Sequence, residues 1–220
     1  MGGKLGTIFA RAGHDVVFSY SHSKAKLEKL ARDAGGHARA GTPAEAAKDA
    51  DALLLAVHWS RVDDVLKKAG DLSGKVIVSC SLPMNADDTG LVIANTSSGS
   101  EELAKKVPKA HVVSAFNTVP NEVLFSVFER AGSGKREGGS GKRERGSGAR
   151  PSVVYCGDNA KAKKVVAQLI TDVGFEPIDA GPLRIARYTE PFTMLVGQLA
   201  YEGSRGPALA YRFEWFEERE

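Results

Sequence analysis

The chain has 220 residues, 42% of them hydrophobic and 26% charged, with a formal net charge of +3. That length allows one or two domains, the composition is that of an ordinary soluble globular protein, and so small a charge excess implies no basic face for nucleic acid. The longest aliphatic run, Ala52 to Val57, is far short of the roughly 18 residues a membrane span needs, and no signal-peptide pattern opens the chain, so a cytoplasmic protein is expected.

Leu5, Ile8, Phe9 and Ala12 fall at i, i+3, i+4 and i+7 and place one apolar stripe on a short helix, with Gly13 where a left-handed stop belongs. His14 to Ser19 then carries Val16, Val17 and Phe18 in a row, the pattern of a strand buried on both faces of a parallel sheet. A second helix runs from Ser23 to Ala34 and closes at Gly35-Gly36. Thr42-Pro43-Ala44-Glu45 marks the start of a third with a threonine cap, a proline at the first helical position and a glutamate able to reach back to the cap nitrogen.

Ala52 to Val57 reads as the next strand. The alternation continues through helix Ser60 to Lys68, strand Lys75 to Cys80, helix Ser100 to Lys106, strand His111 to Ala115 and helix Pro120 to Phe128. Strand Pro151 to Cys156, helix Asn159 to Asp172 with Gly174 as its stop, and strand Phe175 to Asp179 complete it. Strands alternating with helices at this spacing give an α/β fold with a Rossmann-like, doubly wound, mostly parallel sheet.

Two segments stand outside the alternation. "GSGKREGGSGKRERGSGAR", Gly132 to Arg150, is a short tandem repeat of glycine, serine and interleaved charges, which reads as a flexible surface insertion or as an arm touching a polyanion. Leu183 to Glu202 reads as one long helix with Ile185, Tyr188, Phe192, Leu195, Val196 and Leu199 along it and no strand after it. Its apolar side, with Tyr211, Phe213, Trp215 and Phe216 nearby, needs a cover. A second subunit supplies one in a homodimer; packing on its own domain is the other solution. Residues 1–182 are thus expected to form the nucleotide-binding unit and 183–220 a helical dimerisation or substrate segment.

Cys80 and Cys156 each end an apolar run and show no zinc or redox spacing, which leaves plain buried thiols or a contact near a site. No Ser/His/Asp set, nucleophilic cysteine arrangement or His/Glu metal spacing is present, so no catalytic acid, base or metal is assigned. Met1-Gly2-Gly3-Lys4-Leu5-Gly6, taken alone, is a weak trace of the glycine turn that opens a dinucleotide-binding helix.

The runs "ARAGHDVVFS", "AVHW", "AFNT", "VVYCGD" and "DAGPLRIARYTEPF" together span the chain, and they resemble the NADP-linked oxidoreductases that pass hydride between NADPH and the 8-hydroxy-5-deazaflavin coenzyme F420. In that family Ala-Gly-His-x-Val follows the last glycine of Gly-x-Gly-x-x-Gly at a fixed distance, a register that puts Gly2 in the final-glycine position. The resemblance then implies that the first strand and the first two glycines are absent from the given sequence, through a start assigned too late, a truncation or a true loss. Backbone N–H groups near Gly2 and Gly3 would remain for the pyrophosphate.

After the second family strand the run is Ser19-Tyr20-Ser21-His22-Ser23-Lys24, with no acidic residue. A carboxylate would bind the ribose 2'-hydroxyl and repel a 2'-phosphate, whereas Ser19, Ser21, His22 and Lys24 offer hydroxyls and basic groups to that phosphate, so NADP is expected over NAD. The family's usual arginine is missing there, and Lys24 also reads as a solvated first-turn residue. At later strand ends the resemblance places Ala56, Val57 and His58, then Ser79 and Cys80, then Ala115 and Asn117, beside the cofactor's ribose, pyrophosphate and nicotinamide. His58 is a packing residue or an acid; Asn117 orients a carboxamide or caps a helix. Arg187, Tyr188 and Glu190 resemble the family's substrate-side segment or simply pair on the helix surface.

Hydride transfer between a nicotinamide and F420 needs no protein nucleophile, because the small-molecule redox cofactors carry the chemistry. The alternatives are an NADP-dependent reductase of a small carbonyl or imine, with His58 or Tyr188 as proton donor, and a non-catalytic, dinucleotide-binding, redox-sensing dimer.

Overall fold

The computed structural model describes residues 1–21, 23–133 and 149–216. Most of the repeat-rich insertion, together with His22, therefore lies outside the described residues.

Helix α1 (Gly2–Arg11) turns its apolar stripe inward, with Leu5 and Ile8 fully buried, and ends at Gly13, whose φ of 99° a side chain would resist. Strand β1 (Val17–Phe18) follows, then α2 (Lys24–Ala34), capped where Ser23 accepts from the Lys26 N–H. Strand β2 (Arg39–Ala40) pairs in parallel with β1. No strand was expected between Gly36 and Thr42: two residues with one exposed side chain leave no apolar run to read. Helix α3 (Pro43–Lys48) forms the capping box its first residues announce, Thr42 N–H donating to Glu45 Oε2 at 2.6 Å and Glu45 N–H to Thr42 Oγ1 at 3.2 Å.

Strand β3 (Ala52–Leu55), a 3-10 turn over Trp59–Arg61, α4 (Val62–Ala69), β4 (Val76–Ser79), α5 (Gly99–Lys106), β5 (His111–Ser114) and α6 (Leu124–Ser133) come next. Then β6 (Ser152–Gly157), α7 (Ala160–Asp172) and β7 (Glu176–Asp179) lead to a last helical run: a 3-10 turn at Leu183–Ile185, α8 (Ala186–Gly197) and a π turn at Gln198–Glu202. The long helix is thus continuous but changes pitch at both ends.

The strands form two sheets, β1-β2 and β3-β4-β5-β6-β7. The larger is mostly parallel: β3, β4 and β5 run one way, β6 and β7 run the other, and the two groups meet antiparallel at Val113↔Gly157 and Ser114↔Cys156. Helices cover both faces. Val76, Val78, Val113, Val153 and Tyr155 face one core with α1, α6 and α7, while Leu55, Ile77 and Val112 face another with Ala47, Val62, Val65 and Leu103. Each fully buried aliphatic side chain here contributes about 1.5–3 kcal/mol.

The gap between the two sheets shapes everything at the site. Arg39 N–H donates to Val16 C=O and Gly41 N–H to Phe18 C=O, both at 2.9 Å, so Val16 and Phe18 bond toward β2 and Val17 faces away. Likewise Cys80 N–H donates to Leu55 C=O at 2.9 Å, so Leu55 bonds toward β4 and Leu54 faces away. Between these outward edges lies a cavity of about 1350 Å³ that reaches from Val17 to Leu54 and up to Gly2 and Ala56. Helix α1 bridges it, since a Cβ on Gly6 would lie 2.4 Å from Phe18 Cε1 on one side and a Cβ on Gly2 3.2 Å from Ala56 Cβ on the other.

Candidate nucleotide site

The carboxyl ends of the parallel strands meet the amino end of α1, the place where open α/β sheets bind ligands. Met1 gives α1 no side-chain cap, and the first helical hydrogen bond runs from Leu5 N–H to Met1 C=O at 3.1 Å. The Gly2 and Gly3 N–H groups are therefore helix-end donors with no intrahelical acceptor, at the positive end of the helix dipole. Both glycines let the helix start close in: Gly2 against Ala56, and Gly3 with a Cβ position 3.4 Å from Leu30 Cδ2.

Beyond β1, Ser19 is half-buried and Ser21 exposed, with Ser21 Oγ accepting from Ser23 N–H at 3.2 Å. Lys24 opens α2 in solvent, 3.8 Å from Glu28. Tyr20, between the two serines, has a φ of 59°, and its hydroxyl donates to Asp64 Oδ2 on α4 at 2.7 Å. Lys68 bonds the same oxygen at 2.8 Å and lies 5.3 Å from the Tyr20 ring centroid.

Past β3, Ser81 Oγ donates to Val57 C=O at 2.7 Å and fixes the turn. His58 Nδ1 accepts from Ser60 N–H at 3.2 Å, capping the 3-10 turn, while Nε2 lies 3.2 Å from Asp88 Oδ1. Both ring nitrogens are thus engaged by neighbouring polar groups, and the side chain is exposed. Burial pushes the Cys80 thiol up to about 12, so it is a protonated wall of the site rather than a nucleophile. Ser79, in register with Leu55 and Ser114, carries a buried hydroxyl with no hydrogen-bond partner among the described residues. Asn117 is buried and donates to Ser114 Oγ at 3.1 Å, leaving its amide oxygen for another partner. Between Ala115 and Asn117, Phe116 is fully buried with a φ of 63°.

An uncapped helix end, a run of serines and an orphaned buried hydroxyl make a donor set suited to a phosphorylated ribose ligand. Residues 1–83 match the family described as NADP oxidoreductase, coenzyme F420-dependent. That match covers the amino-terminal part of the chain, and there the chain is similar to the family. The rat metalloreductase STEAP3 is 28% identical over 146 residues, which are 66% of this chain and 25% of the rat protein, so the chain spans about a quarter of that relative's length. A structure from Arthrobacter sp. FB24, provisionally named an F420-dependent NADP reductase, aligns with a TM-score of 0.78 at 22% identity and covers 97% of this chain and 95% of its own. An imine reductase of Streptomyces aurantiacus aligns at a TM-score of 0.60 and 14% identity over 89% of this chain and 57% of its own. These structures share the Rossmann-like fold. The matched family and these neighbours are described as NADP-linked oxidoreductases and reductases, and no helix of the described residues is long and apolar enough to cross a membrane.

Of the residues named from the sequence, Gly2, Gly3, Ser19, Ser21, Ala56 and Val57 line the cavity between the sheets, while Lys24, His58, Ser79, Cys80, Ala115 and Asn117 are not among its lining residues. Arg187 and Glu190 go elsewhere. Arg187 forms a double hydrogen bond with Glu101, at 2.7 and 2.8 Å, and holds that carboxyl below its ordinary range. Glu190 caps α5, accepting from Gly99 N–H at 2.7 Å and Ser100 N–H at 2.9 Å. Both fasten α8 to α5, the helix-pairing role, while Tyr188 stays exposed.

Three features of the edge escaped the sequence. Arg39, on the unforeseen β2, lines the same cavity as Ser19 and Ser21. The Tyr20–Asp64 bond joins residues 44 apart, and Thr118 Oγ1 meets Tyr211 OH at 2.6 Å across 93 residues. Thr118 is the next residue after Asn117, so the carboxyl-terminal segment secures that loop. No local pattern announces such pairs.

Proposed function

We propose that this chain transfers a hydride between NADPH and a flat conjugated acceptor, the deazaflavin coenzyme F420 being the acceptor of choice. The observation that carries the reading is the uncapped start of α1 opening at Gly2 and Ala56 onto the serine-lined end of β1. Gly2 and Gly3 N–H groups would hold the pyrophosphate, and Ser19, Ser21 and Lys24, with His22, the 2'-phosphate. Ala56, Val57, His58, Ser79, Cys80, Ala115 and Asn117 would line the ribose and nicotinamide end, with Asn117's free amide oxygen able to accept from a carboxamide.

NADPH, when bound, supplies the hydride. The chain's own work is to hold two rings in register and exclude water from between them. A His58 held at both nitrogens by its neighbours and a Cys80 thiol kept protonated by burial suit that task. Reduction of an imine or carbonyl would need a free donor, and Tyr188 on α8 is exposed and does not line the cavity. A purely sensing dimer would bind NADPH and turn over nothing.

Tyr188, Leu195 and Leu199 form an exposed stripe on the last helical run, 66%, 55% and 55% accessible. A second copy covering that stripe makes residues 183–220 a dimerisation segment in a cytoplasmic homodimer. Mixing the protein with NADPH and then with oxidised F420 tests the function. Enhanced nicotinamide fluorescence followed by loss of NADPH and bleaching of F420 is the expected result, with NADH a weaker donor. Fluorescence enhancement without turnover would favour the sensor, and no enhancement would end the reading.

A further inference from the structure

We propose that Tyr20 is a positioning residue that selects for a 2'-phosphate, by holding Ser19 and Ser21 in the one backbone arrangement that presents them to it. The inference rests on the nucleotide reading above and deepens it at the phosphate-ribose end.

Tyr20 is a bulky residue in the left-handed region, at φ 59°, a conformation non-glycine residues rarely keep without external support. Support is present on three sides. The hydroxyl donates to Asp64 Oδ2 at 2.7 Å, Lys68 bonds that oxygen at 2.8 Å, and the Lys68 ammonium lies over the ring, 5.3 Å from its centroid. Tyr20 is partly buried and packs against the core cluster that includes Leu55, Val62 and Val65. Mutual support shows in the titration of both partners: burial and then Asp64 raise the Tyr20 hydroxyl, while Lys68 and then Tyr20 lower the Asp64 carboxyl.

The clasp is well placed to act on ligands. Tyr20 separates Ser19 from Ser21, so its backbone torsion sets the relative direction of the two serines. It also crosses the gap, tying the β1 end to α4 on the β3 side, where no strand of the described residues joins the sheets. Losing the clasp frees residue 20 to relax to an ordinary torsion, and the two hydroxyls then diverge. A ligand with a 2'-phosphate loses charge-assisted bonds; one with a plain 2'-hydroxyl loses little.

The test compares adenosine 2',5'-bisphosphate with ADP by calorimetry, using the full chain, Tyr20→Phe, and Asp64→Asn, which keeps an oxygen to accept from Tyr20. Wild type is expected to prefer the 2'-phosphate. Tyr20→Phe should weaken the bisphosphate about tenfold, the change expected for one hydrogen bond to a charged group, and ADP less than twofold. Asp64→Asn should retain most of the preference. Thermal unfolding of each variant separates selectivity from stability: a Tyr20→Phe protein that is less stable but keeps the wild-type preference overturns the positioning role. Wild type binding both ligands equally overturns it too, while leaving nucleotide binding intact. Binding of neither removes the nucleotide reading and this inference with it.

Discussion

Replacing Glu190 with alanine probes how the last helix is fixed to the sheet. The side chain is 1% exposed, Oε2 accepts from Gly99 N–H at 2.7 Å, and Oε1 accepts from both Ser100 N–H and Ser100 Oγ at 2.9 Å. Alanine leaves three buried donors without an acceptor, each worth about 1–3 kcal/mol. Against this stands the cost of burying a carboxylate, several kcal/mol that alanine no longer bears. The amino end of α5 decides between them, because its dipole and two backbone N–H groups solvate the charge. Ser98 Oγ still caps Glu101 N–H, so the helix survives. A net loss of about 3 kcal/mol is expected, a fall in Tm of roughly 6–12 °C for a chain of this size. Glu190→Gln keeps one acceptor but turns an NH2 toward a backbone donor, and should lose about half as much. Burial pushes the Glu190 carboxyl above its ordinary value, partly offset by the three hydrogen bonds. The folded state therefore holds this proton to higher pH than the unfolded state. Stability falls as pH rises from the ordinary glutamate value through the folded one, then levels off. Thermal unfolding of both variants across that window measures it. An alanine variant as stable as wild type, or a glutamine variant whose pH profile parallels wild type, refutes the reasoning.

Gly6→Ala should cost stability although alanine favours helix by about 1 kcal/mol, because its Cβ would sit 2.4 Å from Phe18 Cε1 and overpacking costs about 1–3 kcal/mol. Gly3→Ala, facing only the flexible end of Leu30, is its control and should be neutral or stabilising in denaturant titration. Cys80 and Cys156, both pushed up to about 12 by burial, should react with iodoacetamide at pH 8 about 1000-fold more slowly in the native chain than in denaturant; comparable rates would contradict their burial. Hydrogen exchange should find the Val17 and Leu54 amides, which face the gap, less protected than Phe18 and Leu55, which bond toward β2 and β4.

What the sequence made legible was local. Ser23, Thr42 with Glu45, and Asn159 cap the helices they precede, and Gly13 and Gly174 stop them with φ of 99° and 94°, because caps and stops act within a turn of their own position. The aliphatic runs of β3 to β6 were equally plain. Direction was not: β6 has the same apolar pattern whichever way it runs, and its antiparallel pairing with β5 depends on where the chain re-enters the sheet. At the site, the strand ends could be named because a Rossmann-like fold puts them on one edge. The residues that fix their geometry are distant partners, Asp64 for Tyr20, Tyr211 for Thr118 and Ser100 for Glu190, and periodicity carries no information about them.

The gap between the sheets gives the proposed site an unusual mechanical setting. A parallel sheet normally joins neighbouring strand ends rigidly through its ladder, so the phosphate-binding and ribose-binding groups hold their spacing without help. Here Ser19 and Ser21 follow β1 of one sheet, while Ser79 ends β4 of the other and Ala56 and Asn117 follow its β3 and β5. Their spacing is held by α1, wedged against Phe18 at Gly6 and against Ala56 at Gly2, and by the Tyr20–Asp64 bond on the opposite side. On the proposed reading a dinucleotide would touch both sheets, so part of its binding free energy would go into fixing one against the other. Preorganisation then sits in two small contacts instead of a strand. Substitutions at Gly6 and Tyr20, neither of them needed to touch the ligand, would therefore weaken binding through the distance between its two ends.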